Sequence, residues 1–281
     1  MRIVAFRSGG EHRFGLCRGD EVREIAGEAG RSTAALFAAL AAGEPPTAGE
    51  ARPLSAVELL MPVPNPGKVI CIGLNYVDHA KEGGNPIPDY PAVFLRVNSS
   101  LVGPDQPILR PAASDKLDYE AELAIIIGST ARAVSEDAAL AHVGAYSCFN
   151  DGSLRDYQRK SAQWTMGKNF DATGAFGPWM VTPEELPPGA APLRITTTLN
   201  GQVLQDGNTG NMIFSVAKTV AILSEVMTLE PGDVIITGTP AGVGYPRKPP
   251  IFMRPGDVCE VEVEGIGVLR SPIADAPGAA A

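Results

Sequence analysis

Asp118-Tyr119-Glu120-Ala121-Glu122-Leu123-Ala124-Ile125-Ile126-Ile127-Gly128 is the stretch whose reading decides the fold. Successive side chains of a strand leave on opposite faces, so Glu120 and Glu122 share one face while Tyr119, Ala121 and Leu123 share the other. From Leu123 onward both faces are apolar, the pattern of a buried strand. Two like charges roughly 7 Å apart at an effective dielectric of about 20 repel by about 2 kcal/mol, before any desolvation cost. A cation between them relieves that repulsion, and the oxygen-seeking ions Mg2+, Mn2+ and Ca2+ are the natural choices. The competing reading is a frayed strand end with both acids in water. Phe149-Asn150-Asp151-Gly152, which places a third acid after another apolar segment, weighs against it.

Around this strand the chain of 281 residues has enough length to bury a large core. The N-terminal side predicts short strands over residues 1–26, a helix over residues 32–42 with Ser32 or Thr33 as N-cap and Gly43 as stop, and a loop over residues 43–50. The Pro cluster Pro62-Val63-Pro64-Asn65-Pro66-Gly67 marks a boundary between a small β-rich domain, residues 1–63, and a larger one, residues 64–281. In the larger part, strands are expected at 68–73, 92–97, 119–127, 144–150, 177–181, 193–199, 234–238 and 257–263. Helices are expected at 75–82, 135–142, 153–158 and from Asn211 or Ser215 to Thr228, and the Ala-rich tail 274–281 reads as disordered. Many strands with few short helices mean an α+β, mostly β protein without the alternation of a doubly wound sheet.

The balance of 23 basic against 32 acidic residues argues against nucleic acid or an anionic membrane as partner. There is no span-length apolar run and no secretory signal pattern at Met1-Arg2-Ile3-Val4-Ala5-Phe6. Cys17, Cys71, Cys148 and Cys259 lack the paired spacing of zinc or redox sites and read as buried free thiols of a reducing, cytoplasmic compartment.

Three further elements join the acids. His79 and Glu82 are three apart, so on a helix they lie on one face, where the carboxylate can orient the imidazole as a general base; the alternative is a surface pair. Arg155 and Gln158 lie one helical turn past the third acid, and Lys168 stands between a Gly and an Asn-Phe pair, unlike a solvated charge run. His142 reads as a helix-end partner, His12 as exposed, and Trp164 and Trp179 as core. The Gly-rich segment 238–244 lacks the Lys-Ser/Thr ending of a phosphate-binding P-loop.

Taken together, Gly73-Leu74-Asn75-Tyr76-Val77-Asp78-His79, Ser99-Ser100-Leu101-Val102-Gly103-Pro104, Asp118-Tyr119-Glu120-Ala121-Glu122-Leu123, Asn150-Asp151 and Gly167-Lys168-Asn169-Phe170-Asp171 form an ordered set. It continues with Asn200-Gly201, Gln205-Asp206-Gly207-Asn208-Thr209, Met212-Ile213-Phe214 and Gly238-Thr239-Pro240-Ala241-Gly242-Val243-Gly244. In this order they resemble the fumarylacetoacetate hydrolase family over about 70 per cent of the chain. The resemblance implies a mixed β-sandwich roll, commonly a homodimer, with a small N-terminal domain. It implies Mg2+ or Mn2+, with Ca2+ as a further choice, held by Glu120, Glu122 and Asp151. It also implies a catalytic His79–Glu82 dyad with Lys168, and substrate contacts from Arg155, Gln158, Thr239 and Arg96.

The reaction expected from the resemblance is hydrolysis of a C–C bond in a β-diketone or 2-oxo acid of acylpyruvate or fumarylpyruvate type, through an enolate that the metal stabilises. The retained dyad favours hydrolysis, since that reaction needs an activated water. The alternative is decarboxylation or isomerisation of an oxaloacetate-like or 2-oxo-ene-dioate acid, as in aromatic-compound catabolism. Three departures bear on the substrate: Arg96 where relatives commonly have Lys, Gly152 where a bulkier residue is usual, and Leu74 where acylpyruvate-cleaving relatives often have Arg.

Overall fold

The computed structural model describes residues 1–278. The chain begins with strands β1 (Arg2–Ser8), β2 (Glu11–Arg18) and β3 (Glu21–Ile25), helix α1 (Thr33–Ala42) and strand β4 (Thr47–Pro53). Next come β5 (Val69–Gly73), helix α2 (Val77–Glu82), β6 (Ala92–Arg96), β7 (Leu101–Val102), β8 (Ile108–Arg110), β9 (Leu117–Asp118) and β10 (Ala121–Ile127). Helix α3 (Glu136–Ala139), β11 (Val143–Asn150), β12 (Ser153–Leu154), helices α4 (Arg155–Gln158) and α5 (Thr165–Lys168) and β13 (Gly174–Val181) follow. The chain then forms β14 (Arg194–Leu199), β15 (Gln202–Asn208), α6 (Val216–Val226), β16 (Val234–Ile236), β17 (Val258–Val263) and β18 (Gly267–Asp275).

Two large sheets make the body. One has the order β4-β3-β2-β1-β13-β11-β10-β16-β5-β6, with β7 added beside β13; the other runs β15-β14-β17-β18-β8. Both mix parallel and antiparallel pairs, β16 with β5 and β18 with β8 being parallel. The mixed β-sandwich expected from the resemblance is therefore what the chain forms, and the N-terminal strands continue the larger sheet through the pairing of β1 with β13. The alternation of β10 sorts the interior. Leu123, Ile125 and Ile127 enter the layer shared with Val261 and Val263 of the second sheet. Ala124 and Ile126 enter the opposite layer, with Phe149, Leu36 and Phe37.

Local chemistry accounts for the helix ends. The Ser32 side chain accepts from the Ala35 amide at 3.4 Å, capping α1, and Gly43 ends it. Ser215 does the same for α6, accepting from the Lys218 amide at 3.1 Å.

Several expectations need correction. The loop expected over residues 43–50 is in part strand β4, recruited by pairing with β3 despite its polar, Gly- and Pro-containing sequence. Ser153 and Leu154, expected in a helix, pair with β9 instead. Strands β15 and β18 were not anticipated, because their alternation is broken by Gly, Asn and Pro. Ala274 and Asp275, assigned to the disordered tail, close β18 against β8, and residues 279–281 lie outside the described part. The four cysteines are free and buried. His12 is not exposed: its ring packs edge-on against Phe14, 4.7 Å between centroids, and burial lowers its pKa. No helix among the described residues is long and apolar enough to cross a membrane.

Ile125 is fully buried at the centre of the layer between the sheets. Ile125→Ala should cost about 2–5 kcal/mol of unfolding free energy, read from the urea midpoint at constant slope. A cost well under about 1 kcal/mol would mean that this layer is not the main core.

Candidate active site

Where β10 begins, strand geometry has to accommodate acids in the interior. Glu120 and Glu122 are 4 and 2 % exposed, and Asp151, just past the end of β11, is 1 % exposed. The antiparallel pairing of β10 with β11 sets Ala121 opposite Asn150, which carries Asp151 to the two glutamates. One oxygen from each of the three carboxylates lies within 4.8 Å of the others, closer than the spacing expected from the strand alone.

Bringing these charges together in a buried place requires compensation. The ammonium of Lys168, itself 2 % exposed, donates to Glu120 at 2.5 Å and to Asp151 at 2.6 Å. Arg155 donates to Asp118 at 2.7 Å, and its guanidinium makes an ion pair with Glu120, also at 2.7 Å. Arg96 pairs with Asp151. Four buried acids (Asp118, Glu120, Glu122 and Asp151) thus face three buried cations, and Glu122 has none of its own. Its hydrogen-bond donor is the amide of Gly238.

The protonation equilibria follow this arrangement. Burial would raise the pKa of Glu120, but Arg155 and Lys168 override it and hold the carboxyl down at about 2. For Glu122, burial together with the neighbouring Asp151 and Glu120 drives the pKa well up. Burial would lower the pKa of Lys168, but Asp151 and Glu120 raise it, keeping the ammonium charged. With all four acids ionised, as they would be around a bound cation, the site carries one negative charge more than its own cations neutralise, and that excess on an all-oxygen donor set fits a hard divalent ion. A span of 4.8 Å also suits donors arranged about an ion at about 2.1–2.4 Å. Glu120, Glu122 and Asp151 would hold it.

These acids form the floor of a cavity of about 580 Å3. His79, Glu82, Arg155, Gln158, Lys168 and Thr239 all line it, so most of the residues singled out from the sequence converge on one place. On α2 the His79 Nδ1 lies 3.5 Å from a Glu82 oxygen, an approach that is not a formed hydrogen bond. Both Glu82 oxygens accept from the Gly242 amide, at 3.0 and 3.1 Å. The Thr239 hydroxyl accepts from the Gln205 side-chain amide at 2.8 Å, so its own proton is available to a ligand. Gln158 spends its carbonyl oxygen on Arg155 at 2.9 Å, which leaves its amide hydrogens for the cavity.

Arg96 is a correction. Expected to touch substrate, its side chain is fully buried behind Asp151, donating to Thr173 at 2.9 Å and to Ser100 at 3.2 Å. It supports the acid from behind. The small residue after that acid has a reason: a Cβ on Gly152 would meet the Thr173 carbonyl oxygen at 2.0 Å. Gly167 answers a similar demand, because a Cβ there would lie 2.4 Å from the Gln158 amide, and its absence lets α5 seat Lys168 against α4. Trp164, expected in the core, lines the cavity edge-on to Phe94 and against Gly73, while Trp179 packs into the protein and donates to the Ile266 carbonyl. His142 stands at its helix end and meets the Ser129 hydroxyl at 3.0 Å.

Three supporting residues went unassigned from the sequence. Asp118, fully buried, accepts from Arg155 and from the amides of Gly244, at 2.8 Å, and Tyr245, at 3.0 Å. Gln205 accepts from the Ala121 amide at 2.9 Å, tying β10 to the Thr239 loop. Asn75 is held by Phe214 and Thr237 and pins the turn in which Leu74 takes φ 55°. No local pattern marks them, since each acts through groups distant in sequence.

Comparison with known proteins completes the picture. Residues 68–274 match the family model described as fumarylacetoacetate (FAA) hydrolase C-terminal, and residues 1–62 match one described as Rv2993c-like, N-terminal. The human protein named oxaloacetate tautomerase FAHD2A, mitochondrial, is 42 % identical over 225 residues, 79 % of this chain and 71 % of that protein. A structure described as 5-carboxymethyl-2-hydroxymuconate delta-isomerase from Mycobacterium smegmatis is 36 % identical with TM-score 0.82, covering 98 % of this chain and 100 % of that one. Fumarylacetoacetate hydrolase from Exiguobacterium antarcticum superposes with TM-score 0.85 at 37 % identity, again over 98 % of this chain and 100 % of the other. With its C-terminal model matched across most of its length, its fold shared and its motifs in order, the chain is a member of the fumarylacetoacetate hydrolase family.

Proposed function

We propose that the chain is a divalent-metal-dependent tautomerase or isomerase of an oxaloacetate-like 2-oxo acid, moving a proton between C3 and the C2 oxygen. The observation that carries this reading is the buried Glu120–Glu122–Asp151 group, whose Glu122 has no cation of its own, on the floor of a cavity that His79 lines. Hydrolysis of a C–C bond, the reaction expected first from the sequence, yields to this alternative because relatives bear the names of an oxaloacetate tautomerase and an isomerase. Leu74, where acylpyruvate-cleaving relatives often have Arg, lines the cavity as an apolar wall and agrees with that choice. Hydrolysis stays as the second reading, favoured by the His79–Glu82 approach at 3.5 Å.

A divalent ion, when bound, supplies Lewis acidity to the adjacent oxygens of a 2-oxo acid. The remaining work belongs to side chains of this chain. His79, with a Glu82 oxygen 3.5 Å from its ring, accepts the C3 proton and returns a proton to the C2 oxygen, or the reverse. Lys168, locked between Glu120 and Asp151, sets a fixed positive charge beside the position where negative charge develops. The Thr239 hydroxyl and the Gln158 amide donate to the substrate carboxylate. Phe94, Trp164 and Val243 exclude water from one side of the cavity.

The deciding experiment supplies the enol of oxaloacetate and an acylpyruvate separately. Accelerated loss of the enol's ultraviolet absorbance with slow acylpyruvate consumption is expected, and the opposite order would return the site to hydrolysis. His79→Ala should lower tautomerisation by about 10²- to 10⁴-fold while leaving the metal-induced rise in melting temperature intact. Equal loss of both would show that the imidazole holds the site together instead of carrying a proton.

Chelation should abolish turnover and lower the melting temperature, and Mg2+ or Mn2+ should restore both. An ion at a hundred times its Kd stabilises the fold by about 2.7 kcal/mol. Glu122→Gln removes the uncompensated charge, so it should abolish the metal-induced shift without destabilising the metal-free protein. Full activity after exhaustive chelation would end the metal assignment.

A further inference from the structure

We propose that Arg159, seated on Tyr245, receives a second carboxylate of the substrate, so that the cavity selects 2-oxo dicarboxylic acids over monocarboxylic ones. The inference rests on the 2-oxo acid reading above and adds the group that recognises the far end of the molecule.

The positive charges around the cavity differ in how they are committed. Lys168 is held by Glu120 and Asp151, and Arg155 by Asp118 and Glu120. Both are committed to acids of the floor and work at that end of the cavity. Arg159 also lines the cavity, yet among the described residues no carboxylate forms an ion pair with it. Its partner is an aromatic phenol: one guanidinium nitrogen donates to the Tyr245 hydroxyl at 2.7 Å, and the guanidinium carbon stands 4.0 Å from the ring centroid.

This seat is built, although Arg159 itself is exposed. The backbone of Tyr245 is anchored: its amide donates to Asp118 at 3.0 Å and the preceding Gly244 amide donates to the same carboxylate at 2.8 Å. Asp118 also accepts from Arg155, the first residue of the helix that Arg159 ends. A single buried acid therefore fixes both the helix end carrying Arg159 and the loop carrying Tyr245. Stacking on the ring leaves the other guanidinium edge for a planar anion, and Arg presents paired donors that match a carboxylate. The three acids of the floor would repel such a group, so the dicarboxylate is oriented with its 2-oxo end toward the bound ion and its second carboxylate toward Arg159.

The test titrates the Mn2+-loaded protein calorimetrically with oxaloacetate, with 2-oxobutanoate, in which a methyl replaces the second carboxylate, and with oxalate, which has no far end. Wild type should bind oxaloacetate more tightly than 2-oxobutanoate, and added salt should shrink the difference. Arg159→Gln should weaken oxaloacetate binding roughly ten- to hundredfold, the usual worth of a charge-assisted bond, and leave the other two ligands within about twofold. Arg159→Lys should recover part of the loss, which a merely structural role would not predict. Equal weakening of all three ligands, or no change in any, would overturn the inference. Tautomerisation by a wild type whose preference ignores Arg159 would sink this inference alone. Arg159-dependent preference without any tautomerisation would sink the proposed reaction alone.

Discussion

The fold is organised around the cost of burying charge. Asp118, Glu120, Glu122 and Asp151 are withdrawn from water at one end of the sandwich, and each has drawn a donor toward itself. Arg96 comes from the edge strand β6, Arg155 from α4, Lys168 from α5, and amide groups from the loop after β16. Breaking one such buried partnership commonly costs about 3–5 kcal/mol, since it leaves a charge alone in low dielectric. Segments far apart in the chain are therefore tied to one another by electrostatics as much as by the apolar layers.

The Gly-rich loop after β16 illustrates the same constraint. Its backbone amides have the look of an anion cradle, and they do bind anions, but the anions are the protein's own. Gly238 donates to Glu122, Gly242 to Glu82, and Gly244 with Tyr245 to Asp118. The loop is a holder for carboxylates of the site, which explains both its glycines and the absence of a nucleotide fingerprint.

Much of this was readable in the sequence. The apolar run after Glu122 could only be an inner strand, and acids at its start and after β11 had to meet because antiparallel neighbours align their ends. His79 and Glu82 were readable from helical spacing. The direction of Arg96 was not: a long side chain on an edge strand can reach outward to ligand or inward to support, and only the position of Asp151 in front of it decides. Asp118, Gln205 and Asn75 act through backbone groups distant in sequence, which local pattern does not reveal. Strand β4 exists because β3 offers it a partner, not because its residues favour extension. The choice between hydrolysis and tautomerisation lay beyond the residues themselves, since one set of acids, Lys and His serves an enolate in either reaction.

The double acceptance by Glu82 has a consequence for how the site responds to change. One carboxylate faces the imidazole of α2 and also grips the Gly242 amide, in the loop that leads to Tyr245. The helix that carries His79 and the loop are thus joined through one carboxylate. Coupling of this kind is reciprocal: whatever displaces the loop bears on the placing of α2, and whatever moves α2 bears on the loop by the same free energy. A substitution near residue 242 that never touches substrate would thus be felt at His79, communicated through the Glu82 side chain.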